Sequence, residues 1–163
     1  FRNCLVALSD TEPKLQKLFQ HRFKGDDPLS GHSFGNLFIL AMEEITGSFE
    51  EALEESCKIL NVKGKLLPST LEQINLSANM KDGATIDGES NIQKNSSGIS
   101  KLNLNPISPS ANPKATEAIM NSDYIIIGPG SLFTSIIPNF LVPEISESLK
   151  KTNAKKIYIC NCS

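Results

Sequence analysis

The sequence predicts an α/β fold, a mostly parallel sheet flanked by helices with an antiparallel β-hairpin excursion, and three observations predict it. Helical spacing of apolar residues dominates the first third of the chain. Beyond Pro68 the period changes to two, the mark of half-buried strands. Two short unbroken apolar runs, Tyr124–Ile127 and residues 157–160, then read as parallel strands buried on both faces, with helical patterns between and before them.

Each element has its own justification. Residues 1–10 open with Cys4, Leu5, Val6 and Leu8 already running, so the chain is expected to start inside an element. Ser9 or Asp10 is placed to cap a helix entered through Pro13, on which Leu15, Leu18, Phe19 and Arg22 share one face. Residues 25–31 form a polar loop, and a helix follows that carries Leu37, Phe38, Leu40, Ala41 and Ile45 and stops at Gly47. Ser48 and Glu51 make a capping-box pattern for the next helix, with apolar Phe49, Ala52, Leu53, Cys57, Ile59 and Leu60. Ile74, Leu76, Ala78 and Met80 then alternate with polar residues, Asp82-Gly83 turns the chain, and a return strand is expected through Ile86 to Ile92. Residues 93–98 read as a surface turn, Ile99, Leu102 and Leu104 as another strand, and residues 113–120 as a helix. Pro138 and Pro143 interrupt the helical stretch before the last strand. No repeat, low-complexity tract or linker divides the chain.

Composition narrows the function. The 163 residues carry a net charge of -2 with a pI near 5.7, which argues against a general grip on nucleic acid. Lys150, Lys151, Lys155 and Lys156 form the densest basic cluster and read as a solvated helix end and strand start. No apolar run has the roughly 20 residues of a membrane span, and no signal peptide is visible, so a cytoplasmic protein is expected. Cys4, Cys57, Cys160 and Cys162 show neither a CxxC pair nor zinc-type alternation with His and read as reduced thiols. Cys160 and Cys162 are placed on one face of a strand, where packing or a redox pair are the two readings.

Two stretches spend residues that could carry chemistry. In residues 122–141 the strand delivers Gly128-Pro129-Gly130-Ser131, a tight turn whose backbone a ligand could approach, and Ser131 is expected to cap a helix from Leu132. Free N–H groups and the helix dipole would favour phosphate or pyrophosphate there, whereas the alternative is a plain strand-turn-helix joint. The pattern lacks the Gly-Lys-Ser/Thr of a P-loop and the third glycine of a dinucleotide fingerprint, which disfavours a redox role through a dinucleotide. In the second stretch, Gly31, His32, Ser33, Gly35 and Asn36 stand at a helix mouth, either as ligand groups or as a capped start with a satisfied histidine. His32 and Ser33 are adjacent and diverge, so no nucleophilic pair is read. Arg2 and Asn3 are candidates for a phosphate or a ligand amide, or are plain surface. Asp82, Asp87, Glu89 and Asp123 are carboxylates near strand ends that could hold magnesium beside a nucleotide, or simply form turns.

Taken in order, RNCLVALSD, LFQHRF, GHSFGNL, LPST, DG followed by GES, IIIGPGSLFTSIIPN and AKKIYICN resemble the gluconeogenesis factor family along the whole chain. That family is the bacterial branch of the superfamily containing 2-phospho-L-lactate transferase. The resemblance implies a Rossmann-like domain that binds a nucleotide-sugar of the UDP-N-acetylglucosamine type, in a cytoplasmic regulator linking carbon supply to cell-wall synthesis and cell shape, without catalysis. It allows a homodimer and a cell-wall biosynthesis enzyme as partner. The transferase branch implies instead phospholactyl transfer from a nucleotide-activated donor to a deazaflavin acceptor in coenzyme F420 synthesis, with magnesium as cofactor. Ligand-facing motifs carry over to Arg2 and Asn3, to Gly31, His32, Ser33, Gly35 and Asn36, and to Gly128, Gly130 and Ser131 with Thr134 and Asn139. The Gly-rich strand-loop with which the family begins and its carboxyl-terminal region are missing, so residues 1–163 are expected to be a single partial domain from the middle of a gene product.

Overall fold

The computed structural model describes residues 2–10, 13–26, 28–95 and 97–160, with the side chain of Arg2 outside that description. They fall into two compact units, Phe1–Leu67 and Pro68–Ser163, each treated by itself below. Mixed α/β secondary structure is present, as the sequence predicts, with all-helical elements in the first unit and both sheets in the second.

The first unit contains α1 (Arg2–Leu8), α2 (Pro13–Gln20), α3 (Phe34–Thr46) and α4 (Phe49–Ile59). Its core joins Leu5 and Val6 of α1, Phe19 of α2, Ile39 of α3 and Leu60 after α4. Phe19 anchors it by meeting the rings of Phe34 and Phe38 edge-on at 5.4 and 4.9 Å. The caps follow the sequence: Ser33 accepts from the Asn36 N–H, Gly47 closes α3, and Ser48 accepts from the Glu51 N–H. The Ser9 hydroxyl donates back to the Val6 carbonyl at 2.9 Å, and the Ser9 backbone bridges Val62. Asp10 pairs with Lys63 at 3.0 Å. Residues 11 and 12, on which the expected capping of α2 by Ser9 or Asp10 bears, lie outside the described residues.

The second unit holds an antiparallel sheet of order β2-β1-β3, from β1 (Asn75–Met80), β2 (Thr85–Asp87) and β3 (Ile99–Asn105). Alternation in β1 turns Leu76, Ala78 and Met80 to the core beside Leu102, and leaves Asn75 and Asn79 exposed. The return strand is shorter than expected. At Gly88 the chain leaves the sheet for α5 (Glu89–Lys94), so Ile92 reaches the core from a helix, and the expected turn from residue 93 begins one helical end later. The remaining elements are α6 (Pro113–Met120), β4 (Tyr124–Ile127), a π-helical turn (Leu132–Ile136), α7 (Ile137–Phe140), α8 (Pro143–Lys151) and β5 (Lys155–Tyr158). Both prolines that interrupt the helical stretch sit in first turns, where no N–H is missed.

β4 and β5 pair in parallel with Ile126 opposite Ile157. The parallel part is therefore two strands among the described residues and the antiparallel part three, a larger excursion than the predicted hairpin. The expected burial on both faces does not occur. Tyr124, Ile126 and Ile157 share one face and are 64%, 62% and 41% exposed. A strand pair has no outer strands to shield it, and these side chains find no second layer among the described residues of their unit.

Candidate functional site

In the first unit, residues 21–23 and 31–34 run antiparallel and set the start of α3. Phe23 donates to the His32 carbonyl, Gly31 to the Phe23 carbonyl, and Phe34 to the His21 carbonyl, at 2.9, 3.0 and 2.9 Å. Arg22 bridges Ser33 through the backbone, and its guanidinium donates to the Gly31 carbonyl. Ser33 is completely buried, with its hydroxyl occupied as the cap of α3, and Gly35 is buried behind it. His32 and Asn36 remain on the surface at the helix mouth. Asn3 is an exposed residue of α1, and of Arg2 only the backbone is described, as the first residue of that helix.

In the second unit, the Gly128–Ser131 turn stands at the carboxyl end of β4 and against the end of β5. The Ile159 N–H donates to the Ile127 carbonyl at 2.9 Å, extending the parallel pairing by one bond. Gly128 has φ +90°, and a Cβ placed there would lie 2.6 Å from the Ile159 carbonyl oxygen. Gly130 lies against the π-turn, where a Cβ would come within 3.2 Å of Ser135 Cβ and 3.4 Å of Ile136 Cδ1. Both glycines thus allow close approach, and the first atoms approached are the protein's own.

Beyond the turn the helix is wound differently from the expectation. Ser131 supplies no side-chain cap. Its carbonyl instead accepts from the Ser135 and Ile136 N–H groups at 2.9 and 3.1 Å, and the second bond is the wide π type. Thr134 is buried and accepts from Gln93 Nε2 at 2.8 Å. Asn139 accepts from the Ser69 hydroxyl at 2.5 Å and donates to the Ser135 carbonyl at 2.8 Å, so both halves of its amide are engaged. Within the second unit, then, Gly128, Gly130, Ser131, Thr134 and Asn139 lie along one continuous segment. The helix mouth at Gly31 to Asn36 belongs to the other unit.

Sequence reading used the LPST motif for the family resemblance without giving Ser69 a site role, and it did not single out Gln93. Ser69 sits in the Leu67-Pro68-Ser69-Thr70 segment, and Gln93 falls where a surface turn was expected. Their partners are 70 and 41 residues away, beyond the reach of any local pattern.

Among the described residues no three His, Cys, Asp or Glu side chains gather to hold a metal. Asp82 forms the hairpin turn, accepting from the Ala84 N–H at 3.0 Å. Hydrogen bonding from Ser97 and from the Ala84 N–H holds its carboxyl below the ordinary value. Cys4 and Cys57 are free thiols, and Cys162 lies outside the described residues, as does any pairing with Cys160. Burial pushes the Cys57 thiol up, against nucleophilic use. In the basic cluster, Lys151 pairs with Glu147 at 2.7 Å and Lys156 donates to the Thr152 carbonyl, as befits a solvated helix end. Among the described residues no helix is long and apolar enough to cross a membrane.

Comparison with known proteins converges on one family. The family described as 2-phospho-L-lactate transferase CofD matches residues 1–163. The chain is 49% identical over 160 residues to the gluconeogenesis factor of Bacillus subtilis, covering 98% of this chain and 50% of that protein. The gluconeogenesis factor of Halalkalibacterium halodurans gives the same identity and coverage. A crystal structure of a Bacillus halodurans protein superposes with a TM-score of 0.89 at 49% identity, over 98% of this chain and 51% of the other. The chain spans about half the length of these relatives.

Proposed function

Because this chain belongs to the gluconeogenesis factor family of the CofD superfamily, we propose that its protein is a nucleotide-sugar-binding regulator. It takes a UDP-sugar such as UDP-N-acetylglucosamine and links carbon supply to cell-wall synthesis and cell shape, through contact with an enzyme of cell-wall synthesis. In this reading residues 1–163 are part of a single Rossmann-like domain, whose parallel sheet extends beyond β4 and β5.

The observation that carries the reading is the placement of the Gly128–Ser131 turn. It closes the carboxyl end of a parallel strand pair, where ligands of open α/β sheets gather, and leads directly into a helical turn. The N–H groups of Leu132, Phe133 and Thr134, ahead of the first bond to the Ser131 carbonyl, have no acceptor within the helix by its geometry, and a diphosphate would supply one. In the first unit, taken by itself, His32 and Asn36 stand exposed at the mouth of α3 and are proposed as polar groups open to a ligand. The reading assigns no bond-breaking step. The second reading, phospholactyl transfer, is favoured by the family description alone. Its magnesium would draw most ligands from phosphate oxygens, since no three His, Cys, Asp or Glu side chains gather among the described residues.

Calorimetric titration of the complete protein with UDP-N-acetylglucosamine and with GDP, each with and without magnesium, separates the two. Binding of the UDP-sugar without magnesium is expected. Binding of GDP alone, dependent on magnesium, would put the transferase ahead.

A further inference from the structure

We propose that Ser69 and Gln93 are positioning residues for the Gly128–Ser131 turn, acting through the π-helical turn that follows it. The inference rests on the nucleotide-sugar reading above and adds to it the groups that hold the site in shape.

The contacts form a chain from the turn outward. Gly130 packs on Ser135 and Ile136, so the position of the glycine turn is set by the π-turn beneath it. That π-turn is seized from two sides. Gln93 Nε2 of α5 donates to the buried Thr134 hydroxyl at 2.8 Å. Ser69 donates to Asn139 Oδ1 at 2.5 Å, and Asn139 Nδ2 donates in turn to the Ser135 carbonyl at 2.8 Å, within the residue on which Gly130 rests. Ser69 is itself fixed, because its carbonyl accepts from the Asn112 N–H at 2.9 Å at the start of α6.

A π-type turn is rare and less favourable than a continued α-helix, and it persists where surrounding contacts over-determine it. Here two polar side chains from separate segments converge on the few residues after the glycine turn. Such an arrangement fixes backbone N–H groups before a ligand arrives, so their ordering does not have to be supplied by binding. The same contacts give Thr134 and Asn139 a role distinct from direct ligand contact: they receive the clamp.

The test measures affinity of the folded complete protein for UDP-N-acetylglucosamine at 25 °C, with thermal midpoints alongside. A hydrogen bond that only stabilises the fold lowers the midpoint and leaves the affinity of the folded protein unchanged. Ser69→Ala and Gln93→Leu are each expected to weaken binding about five- to tenfold, the worth of roughly one hydrogen bond. Ser69→Thr, which keeps the hydroxyl, is expected to stay within about twofold of the parent. The two substitutions act from different segments, so failure of one variant to fold leaves the other as a test. Parental affinity in Ser69→Ala or Gln93→Leu, or an affinity loss in Ser69→Thr equal to that in Ser69→Ala, overturns the positioning role. If the unsubstituted protein does not bind the UDP-sugar, the nucleotide-sugar reading falls, and this inference with it. Binding by the parent combined with unchanged affinity in the variants removes the positioning role alone.

Discussion

Replacing Gly128 by Ala tests how tightly the turn is seated, and the fold contains a matched control. Gly83, in the hairpin turn, has φ +89° and open space for 4 Å around the point a Cβ would occupy, whereas Gly128 has φ +90° with the Ile159 carbonyl oxygen 2.6 Å from that point. Both Ala variants bear the cost of a left-handed backbone, about 1–2 kcal/mol. Gly128→Ala adds a backbone clash that no rotamer can relieve, and overpacking of this kind costs about 1–3 kcal/mol more. The expected totals are therefore about 1–2 kcal/mol for Gly83→Ala and about 2–5 kcal/mol for Gly128→Ala. Equilibrium urea unfolding of the complete protein, followed by circular dichroism, reads both. Equal losses in the two variants would refute the close seating of the turn against β5. Gly128→Ala is also expected to weaken nucleotide-sugar binding, whereas Gly83→Ala, in the remote hairpin, is not.

Three further outcomes follow from the same structure. Asn112 caps α6 by accepting from the Lys114 N–H, while its buried Nδ2 has no hydrogen-bond partner among the described residues. Asn112→Ser keeps a cap and removes the orphan donor, so urea unfolding is expected to find it about 1 kcal/mol more stable than Asn112→Ala. The Asp82 carboxyl is held below its ordinary value of 3.8, first by Ser97 and then by the Ala84 N–H. A depressed folded pKa contributes stability above the unfolded value that is lost as pH falls through the folded one. The gap between the parent and Asp82→Asn should thus be constant near neutrality and close below about pH 3.8; a gap that widens on acidification would contradict it. Finally, the exposed face of Tyr124, Ile126 and Ile157 leads us to expect that residues 1–163 alone bind a hydrophobic dye and unfold without a sharp transition, unlike the complete protein. A cooperative transition with parental affinity for the UDP-sugar would refute that.

How much of this was legible in the sequence depends on how local the cause is. Caps and punctuation were: Ser33, Gly47, Ser48 and Asp82-Gly83 act within four residues of themselves. The alternation of β1 and the bounds of α6 were legible for the same reason, since one face or one turn decides them. The apolar run of β4 fixed its strand character but not its burial, because burial depends on neighbours that the strand's own residues do not name. Ile92 misled for a related cause: its apolar spacing suits a strand or a short helix, and only Gly88 decides. In the candidate site, the glycines of the turn were visible, and their partner Ile159 was not. Thr134 and Asn139 were visible too, and their partners Gln93 and Ser69, 41 and 70 residues away, were not.

The most direct test of the account is amide hydrogen exchange in the complete protein with and without UDP-N-acetylglucosamine. Protection on binding is expected at residues 128–134, where the turn meets the start of the π-helical segment. Binding that protects other segments and leaves residues 128–134 unchanged would contradict the placement of the site.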